Sequence, residues 1–523
     1  MNIFSSIFFI FLLVYLVVTF YLSRKGTNLQ DFYVMGQGAG PWLIAGTYTA
    51  TWISAVGMVG LTGIAYKSGP LVGILVWGAF IGFIISAFFI GNKLRRFGQV
   101  TLGDYFGERF ESNFIRVLSA IVTIVGLGAY FVSQIVGSAV ITETLLGIPY
   151  NIMVVIMVAV FVIIAVAAGA RSVTVTDTIM FAIIAICLGF IFSPILIKTV
   201  GIKSFADYAK ENPIYFTATG GVVGWGTIVG WQVLWGLGNA ANPAAITRAY
   251  LAKDTRTWVQ AIMLAMMITM PIVWLTHVGA SAVHLINPNL DNPGAALTWG
   301  AMNLVNPILG GVAIAGLFAA CLSTASTQIL TLAFSVSRDL YEKLSTKKLS
   351  EKKLLLYARI CIVIFGILGM ALALGRSEIV AMVGNFGSSV FAAAFFPPLI
   401  LGLFWKKMTR EAAIASMIVG LLADLALHFG ALAFNLPFGN AKYLPFGIHP
   451  VIWSLFAALI VAYIVSVMTK PTKKQVEVFD LCNMPLSEEL ETSQLKMKQY
   501  TVAVGIYALL QTAIIFWFAA KIG

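Results

Sequence analysis

Residues 41–66 read PWLIAGTYTATWISAVGMVGLTGIAY. The run is long and apolar enough to cross a hydrocarbon layer of about 30 Å as a helix. Gly46, Gly57, Gly60 and Gly63 nevertheless interrupt it, with hydroxyl residues clustered between them. Unwound backbone is tolerated at membrane depth only where it faces protein or a wet cavity. A second interrupted run, GVVGWGTIVGWQVLWGLGNAANPAAITRAY at residues 221–250, carries Gly236, Gly238, Asn239, Asn242 and Pro243. In a single span, small residues are accounted for by close helix packing. Two broken spans set five apart imply more: two five-helix units of opposite orientation, each opening on a broken helix, which is the inverted-repeat transporter pattern.

The rest of the chain fits that frame. Its 523 residues are 59% hydrophobic and only 10% charged, against about 25% charged in an average soluble domain. Apolar runs recur end to end and predict fourteen spans, near 3–22, 41–66, 70–91, 114–146, 150–169, 176–199, 222–247, 256–285, 307–337, 354–374, 378–404, 411–434, 450–469 and 500–520. The expected architecture is an all-α polytopic membrane protein with a five-plus-five inverted-repeat (LeuT-type) core. It divides into a first helix and loop (1–40), a first five-helix repeat (41–200), a second, inverted repeat (201–405) and three further helices with a polar loop at 470–499 (406–523). The first apolar run has no basic residue before it and no small-residue cleavage site after it, so it reads as a retained span.

Net charge is +12, and its location decides what it means. With the N-terminus outside, 26 of the 33 Lys and Arg residues fall on the cytoplasmic side, Arg248 counted among its loop charges, and 7 fall outside. That asymmetry satisfies the positive-inside rule and does not imply nucleic acid. Four scattered cysteines, with no CxxC pair, indicate neither a disulfide framework nor a metal knuckle. The chain reads as a multi-pass protein of the cell membrane, with the bilayer as its surroundings and no obligate protein partner evident.

Two features carry chemistry. In the ninth run, GGVAIAGLFAACLSTASTQILTLAFSVSRDLY (310–341), Ala320, Ser323, Thr324 and Thr327 stand at i, i+3, i+4 and i+7 on one helical face, with Ser326 on its flank. Hydroxyls so placed offer neutral oxygens to a hard cation such as Na+, and unwound carbonyls of a broken helix supply further ligands. The competing reading is back-bonding of each hydroxyl to the i−4 carbonyl. Asp177, in ARSVTVTDTIMF (170–181), is an acidic group at the start of a span. There it is either a functional carboxylate or one stabilised by a helix N-terminus.

The segments TATWISAVGMVGLTGIAYKSG, VTVTDT, LWGLGNAANPAAITRAYLAKD and AACLSTASTQILTLAFSVSRDLY, in that order, resemble the sodium/solute symporter family. That family includes bacterial proline, pantothenate, galactose and sialic acid symporters and animal glucose, iodide and monocarboxylate carriers. The similarity covers about the first 430 residues. It implies a first Na+ site from the carbonyls of Ala50, Ile53 and Ala320 with the hydroxyls of Ser323 and Thr324. It also implies a second, found in some members, from Asp177, Ser323, Ser326 and Thr327. Two positions depart from the proline symporters: Trp52 stands where they have an aspartate, and Asn239 where they have a tyrosine, although Trp235 and Pro243 match.

The implied activity is Na+-coupled import of a small organic solute by alternating access, with Na+ and solute as partners and no enzymatic chemistry. Expected cavity residues are Thr49, Thr51 and Ser54; Tyr130, Ser133 and Gln134; Trp231, Trp235 and Asn239; and Asn385, Ser388 and Ser389. This set is rich in aromatics and hydroxyls and thin in Glu, Lys and Gln. It suits a monocarboxylate, a pantothenate-like molecule or an amino acid better than the alternative, a sugar or sialic acid. The stretch around Trp52 is most similar to pantothenate and monocarboxylate carriers. No Lys or Arg is expected mid-span to pair a solute carboxylate. The rival classes, an uncoupled channel or a membrane sensor, predict Na+-independent uptake or an appended signalling domain. Two decoys are set aside: Gly36, Gly38 and Gly40 follow no strand, so they form no nucleotide loop, and His277 and His284 lack the paired ligands haem needs.

Overall fold

The structure, a computed structural model, describes residues 2–23, 38–97, 101–167, 169–342, 350–375, 380–484 and most of 499–514. Gly36 and the acidic residues Glu488, Glu489 and Glu491 lie outside the described residues. The chain is helical almost throughout. In order it forms α1 (Ile3–Ser23), α2 (Pro41–Trp52), α3 (Val56–Ser68), α4 (Pro70–Phe97), α5 (Leu102–Arg109), α6 (Asn113–Leu146), α7 (Tyr150–Ala167) and α8 (Arg171–Val200). The second half runs through α9 (Ile202–Glu211), α10 (225–238), α11 (Pro243–Leu251), α12 (Thr255–Ile286), α13 (Ala296–Asn303) and α14 (Pro307–Tyr341). It ends with α15 (Lys352–Ala373), α16 (Val380–Phe404), α17 (Arg410–Ala433), α18 (Pro450–Met468) and the short α19 (Lys473–Cys482).

Eleven of these are long and apolar enough to span a bilayer, and α2 with α3, bent by 49°, makes a twelfth. Both breaks expected from sequence are present. The second separates α10 from α11, whose pieces are each shorter than a full span. The expected span at 500–520 falls largely outside the described residues.

Burial sorts the helices into centre and rim. In α14 and α16, 83% of the apolar stretch is buried, against 22% in α1, 28% in α15 and 33% in α18. The rim helices turn Ile10, Leu13, Val17, Leu368, Phe456 and Ile460 outward. A belt of exposed large apolar side chains on this scale is what lipid contact requires and what a soluble surface avoids. The long α14 lies at the centre, packed on α1, α2, α6, α8, α15 and the far half of the second break.

Glycines let the broken helices approach their neighbours backbone to backbone. A Cβ on Gly78 would stand 2.0 Å from the Gln232 carbonyl oxygen, and one on Gly82 2.6 Å from that of Gly236, so α4 and α10 meet through their main chains. At Gly238 a Cβ would reach within 2.2 Å of the Ser388 carbonyl on α16. The close-packing role of small residues and the break therefore operate in the same segment.

The basic connections gather at one end of the bundle. There α5 begins on a capping box between Thr101 and Asp104. Asp104 also accepts Arg116 at 2.8 Å and Arg338 at 2.9 Å. Arg109 donates to the carbonyls of Gly402 and Gln475, and Arg95 to those of Ala252 and Lys253. Five chain segments distant in sequence thus share this end, as alternating spans require.

Gly238→Ala should destabilise the protein by about 1–3 kcal/mol, the usual range for overpacking. Gly57→Ala, where a Cβ meets nothing within 4 Å, should be neutral or stabilising by about 0.4–1 kcal/mol. Thermal unfolding of the two variants in detergent checks the contrast.

Candidate sodium and solute site

The α2 helix ends because Ile53 turns to an extended conformation (φ −76°, ψ 106°). This frees the carbonyls of Ala50, Thr51 and Ile53 from helical partners deep in the bundle. The hydroxyls of α14 meet them. Ser323 Oγ lies 2.8 Å from the Ala50 oxygen, and Thr324 Oγ1 lies 3.2, 3.2 and 3.5 Å from those of Ala50, Thr51 and Ile53. The same hydroxyls also reach back to Ala319 and Ala320 at 2.9 Å, and Ser323 to Ala320 at 3.3 Å. On the other side of the break, Gln134 Oε1 accepts the Ala55 N–H at 2.8 Å.

The proton count is the telling property of this cluster. Three freed carbonyls face two hydroxyls, and each hydroxyl has one proton to give. The five oxygens expected from sequence, on Ala50, Ile53, Ala320, Ser323 and Thr324, all lie in this one cluster, where acceptors exceed donors. Such a buried excess of neutral oxygen favours a small cation.

One and two turns along α14, Thr327 and Thr331 continue the face toward the basic end. Asp177 on α8, wholly buried, accepts from Thr47 Oγ1 at 2.9 Å and from Thr327 Oγ1 at 3.3 Å, while its Oδ1 has no partner. Ser326 Oγ donates to the Leu322 carbonyl. Contrary to the sequence expectation, a guanidinium is also here. Arg248 lies on α11, buried inside the bundle rather than in a cytoplasmic loop. Its Nη2 donates to Thr327 Oγ1, to Thr51 Oγ1 at 3.1 Å and to Asp177 Oδ2 at 3.4 Å. Arg248, which the sequence count places among loop charges, is thus a buried cation beside Asp177. Asn242 caps α11 and Pro243 opens it, which carries residue 248 further into the bundle than a loop placement after residue 247 allows.

Between the two breaks lies a cavity of about 20 Å³ lined by Tyr48, Thr51, Trp52, Tyr130, Asn239, Asn242, Ala245, Arg248 and Gln328. Of the expected solute residues it gathers Thr51, Tyr130 and Asn239. Ser54 stands behind Tyr130, their oxygens 3.1 Å apart. Trp235 packs on Trp52 with ring centroids 5.3 Å apart. Thr49 accepts from Thr269, Gln134 braces the break, and Ser133 bonds the Tyr130 carbonyl. Trp231, Asn385 and Ser388 are buried outside the cavity lining, with side-chain polar atoms unpartnered. Ser389 turns to Asp424 on α17.

A family model, Sodium:solute symporter family, matches residues 32–420. The chain belongs to that family. The symporter is 25% identical over 484 residues to a sodium/proline symporter of Staphylococcus aureus, covering 90% of this chain and 93% of the relative. It is 26% identical over 477 residues to sodium/proline symporter 2 of Staphylococcus saprophyticus, covering 88% and 92%. Its fold matches a Na+-coupled sialic acid symporter in a substrate-bound outward-open state, with TM-score 0.74 at 19% identity over 91% of this chain and 99% of that one. It also matches Mhp1, a nucleobase-cation-symport-1 transporter, with TM-score 0.58 at 13% identity over 87% and 99%. The symporter is thus a multi-pass membrane carrier with a LeuT-like fold, not an enzyme, and Na+ is its coupled ion.

Arg248, Gln328, Asn242, Tyr48 and Ala245 at the cavity, and Thr47 at Asp177, are among the residues the sequence reading missed. Gln328 stands at i+8 of the Ala320 stripe, so extending the periodicity one step recovers it. The symporter's Gln134→Leu variant should lose about 1–3 kcal/mol of stability, because the buried Ala55 N–H is left unpaired. Thermal unfolding in the absence of Na+ measures this.

Proposed function

We propose that this symporter imports a small organic acid or amino acid with Na+ by alternating access, with the N-terminus outside and the basic end of the bundle in the cytoplasm. The first Na+ is held by the carbonyls of Ala50, Ile53 and Ala320 and the hydroxyls of Ser323 and Thr324. The observation that carries this reading is the excess of freed carbonyls over hydroxyl protons at the break of the second span. A second, conditional ion site comprises Asp177, Ser323, Ser326 and Thr327. The two repeats, 41–200 and 201–405, form the moving core, and 406–523 flanks it.

The solute class follows from the cavity lining. Trp52 and Tyr130 supply apolar faces, and Asn239, Asn242 and Gln328 supply amide groups that orient a small polar molecule. The curated relatives above are named as proline carriers. Trp52, packed on Trp235, presents an indole face to the cavity, which favours a flatter or more apolar solute than proline, a monocarboxylate or a pantothenate-like acid. Its carboxylate meets the amides and the nearby Na+.

Coupling supplies enough work. One positive charge moving down 100 mV releases about 2.3 kcal/mol, and a tenfold Na+ gradient adds about 1.4 kcal/mol. One ion therefore concentrates a neutral or zwitterionic solute several-hundred-fold, on the order of 10²–10³, whereas a monoanion carried with one Na+ moves no net charge and is driven about tenfold by the ion gradient alone.

Ser323→Ala and Thr324→Ala should each raise the Na+ concentration for half-maximal uptake by about tenfold or more, since each removes one of five ligands and about 1.4 kcal/mol or more of ion binding. Uptake into proteoliposomes and Na+-dependent thermal stabilisation check this across a panel of monocarboxylates, pantothenate, amino acids and sugars. Unaltered Na+ dependence in both variants overturns the assignment.

A further inference from the structure

Arg248 stands between two cavities. On one side is the central cavity with Trp52 and Tyr130. On the other, toward the basic end, a cavity of about 30 Å³ is lined by Thr174, Thr247, Thr327, Leu330, Thr331 and Phe334, with Arg248 again in its wall. The Arg248 side chain, held there by Thr327, is thus the residue shared by both walls. Each cavity is large enough for only a water molecule or two, so this end is closed. At the opposite end a cavity of about 330 Å³ lies beside α3, bordered by Lys67 and Asp291.

The partition is made of charge as well as bulk. Arg248 is tied by its Nη2 to Asp177 and Thr327, and by its Nη1 to the Ala244 carbonyl of its own helix and to Thr247 at 3.1 and 3.2 Å. Its Nε, buried, has no acceptor. Thr327 Oγ1 and Asp177 Oδ2 are therefore already coordinated by a cation, one tethered to the chain. A free ion bound to the same two oxygens would occupy the place of Nη2. It would also set two positive charges against one carboxylate in a dry interior, where like charges a few ångström apart repel strongly.

We propose that Arg248 is a tethered counter-cation that closes the cytoplasmic side of the central cavity and excludes a free cation from Asp177 and Thr327. Binding of an ion there and opening of that side are then one event: the guanidinium leaves, the ion takes its oxygens, and the two cavities join. The inference rests on the alternating-access reading proposed above. It makes the second ion a consequence of the cycle's position rather than a constant companion of the first.

The test uses the full chain in proteoliposomes with two readouts. Direct 22Na+ binding counts sites, and a membrane-impermeant thiol reagent applied to the basic end measures access to Thr51→Cys in the central cavity, with the parent chain's four cysteines as background. Arg248→Gln should bind one more Na+ per chain in the concentration range where the parent saturates its first site. It should also speed modification of the Thr51 cysteine at least severalfold, because the reagent's path into the central cavity opens even though the guanidinium that favours the reactive thiolate is gone. Arg248→Lys, which keeps the charge, should bind as many ions as the parent. Adding Asp177→Asn to Arg248→Gln should abolish the extra ion and keep the first, which shows that the doubly substituted chain is folded. An unchanged ion count or an unchanged modification rate in Arg248→Gln overturns the proposal. Absence of Na+ binding in every chain, the parent included, instead overturns the first-site assignment.

Discussion

A backbone carbonyl freed from its helix inside a membrane protein needs a partner from the protein, an ion or a wet cavity, because each unmet group costs several kcal/mol. The break between α2 and α3 leaves three such carbonyls, on Ala50, Thr51 and Ile53, in the middle of the bundle. Much of the architecture follows from supplying them. The central helix α14 brings Ser323 and Thr324 to one side, and α6 brings Gln134 to the other. The hydroxyls are too few to give each acceptor a proton of its own, and that shortfall is the physical ground for the proposed cation site.

Charge imposes the second constraint. Asp177 is wholly buried, and an ionised carboxylate in such a place needs a partner. The far half of the other broken span provides one through Arg248. This ion pair therefore ties α8 to α11, with Arg248 in the wall of the central cavity. Removing one member of a buried pair usually costs about 3–5 kcal/mol. Here the hydroxyls of Thr47, Thr51 and Thr327 surround the pair, so alternative hydrogen-bond partners stand beside each member.

The outer helices answer to a different solvent. Their exposed Ile, Leu, Val and Phe side chains gain nothing by packing on one another when the surroundings are equally apolar. Specific contact is instead concentrated at small residues, as where Gly78, Gly82 and Gly236 let main chains touch, and at polar groups such as Asp424, which accepts hydrogen bonds from the hydroxyls of Ser389 and Ser454.

The spans, both interruptions and the oxygen-rich face of α14 were legible in the sequence because each is local: apolar run length, Gly and Pro placement, and a 3.6-residue period need no knowledge of neighbours. Periodicity picked out Ala320, Ser323, Thr324 and Thr327, and the resemblance added Ala50 and Ile53; the fold brings oxygens of Ala50, Ile53, Ala320, Ser323 and Thr324 into one hydrogen-bonded cluster. What the tertiary structure decided is which polar groups face each other. Arg248 reads as a loop charge in a linear count, yet α11 carries it inward to Asp177, 71 residues away in the chain. Gln134, expected to touch solute, is instead committed to the Ala55 N–H, and Thr49 to Thr269. Helix membership narrows a side chain to a layer of the bundle, but its azimuth relative to helices hundreds of residues away is set by packing, and only packing reveals it.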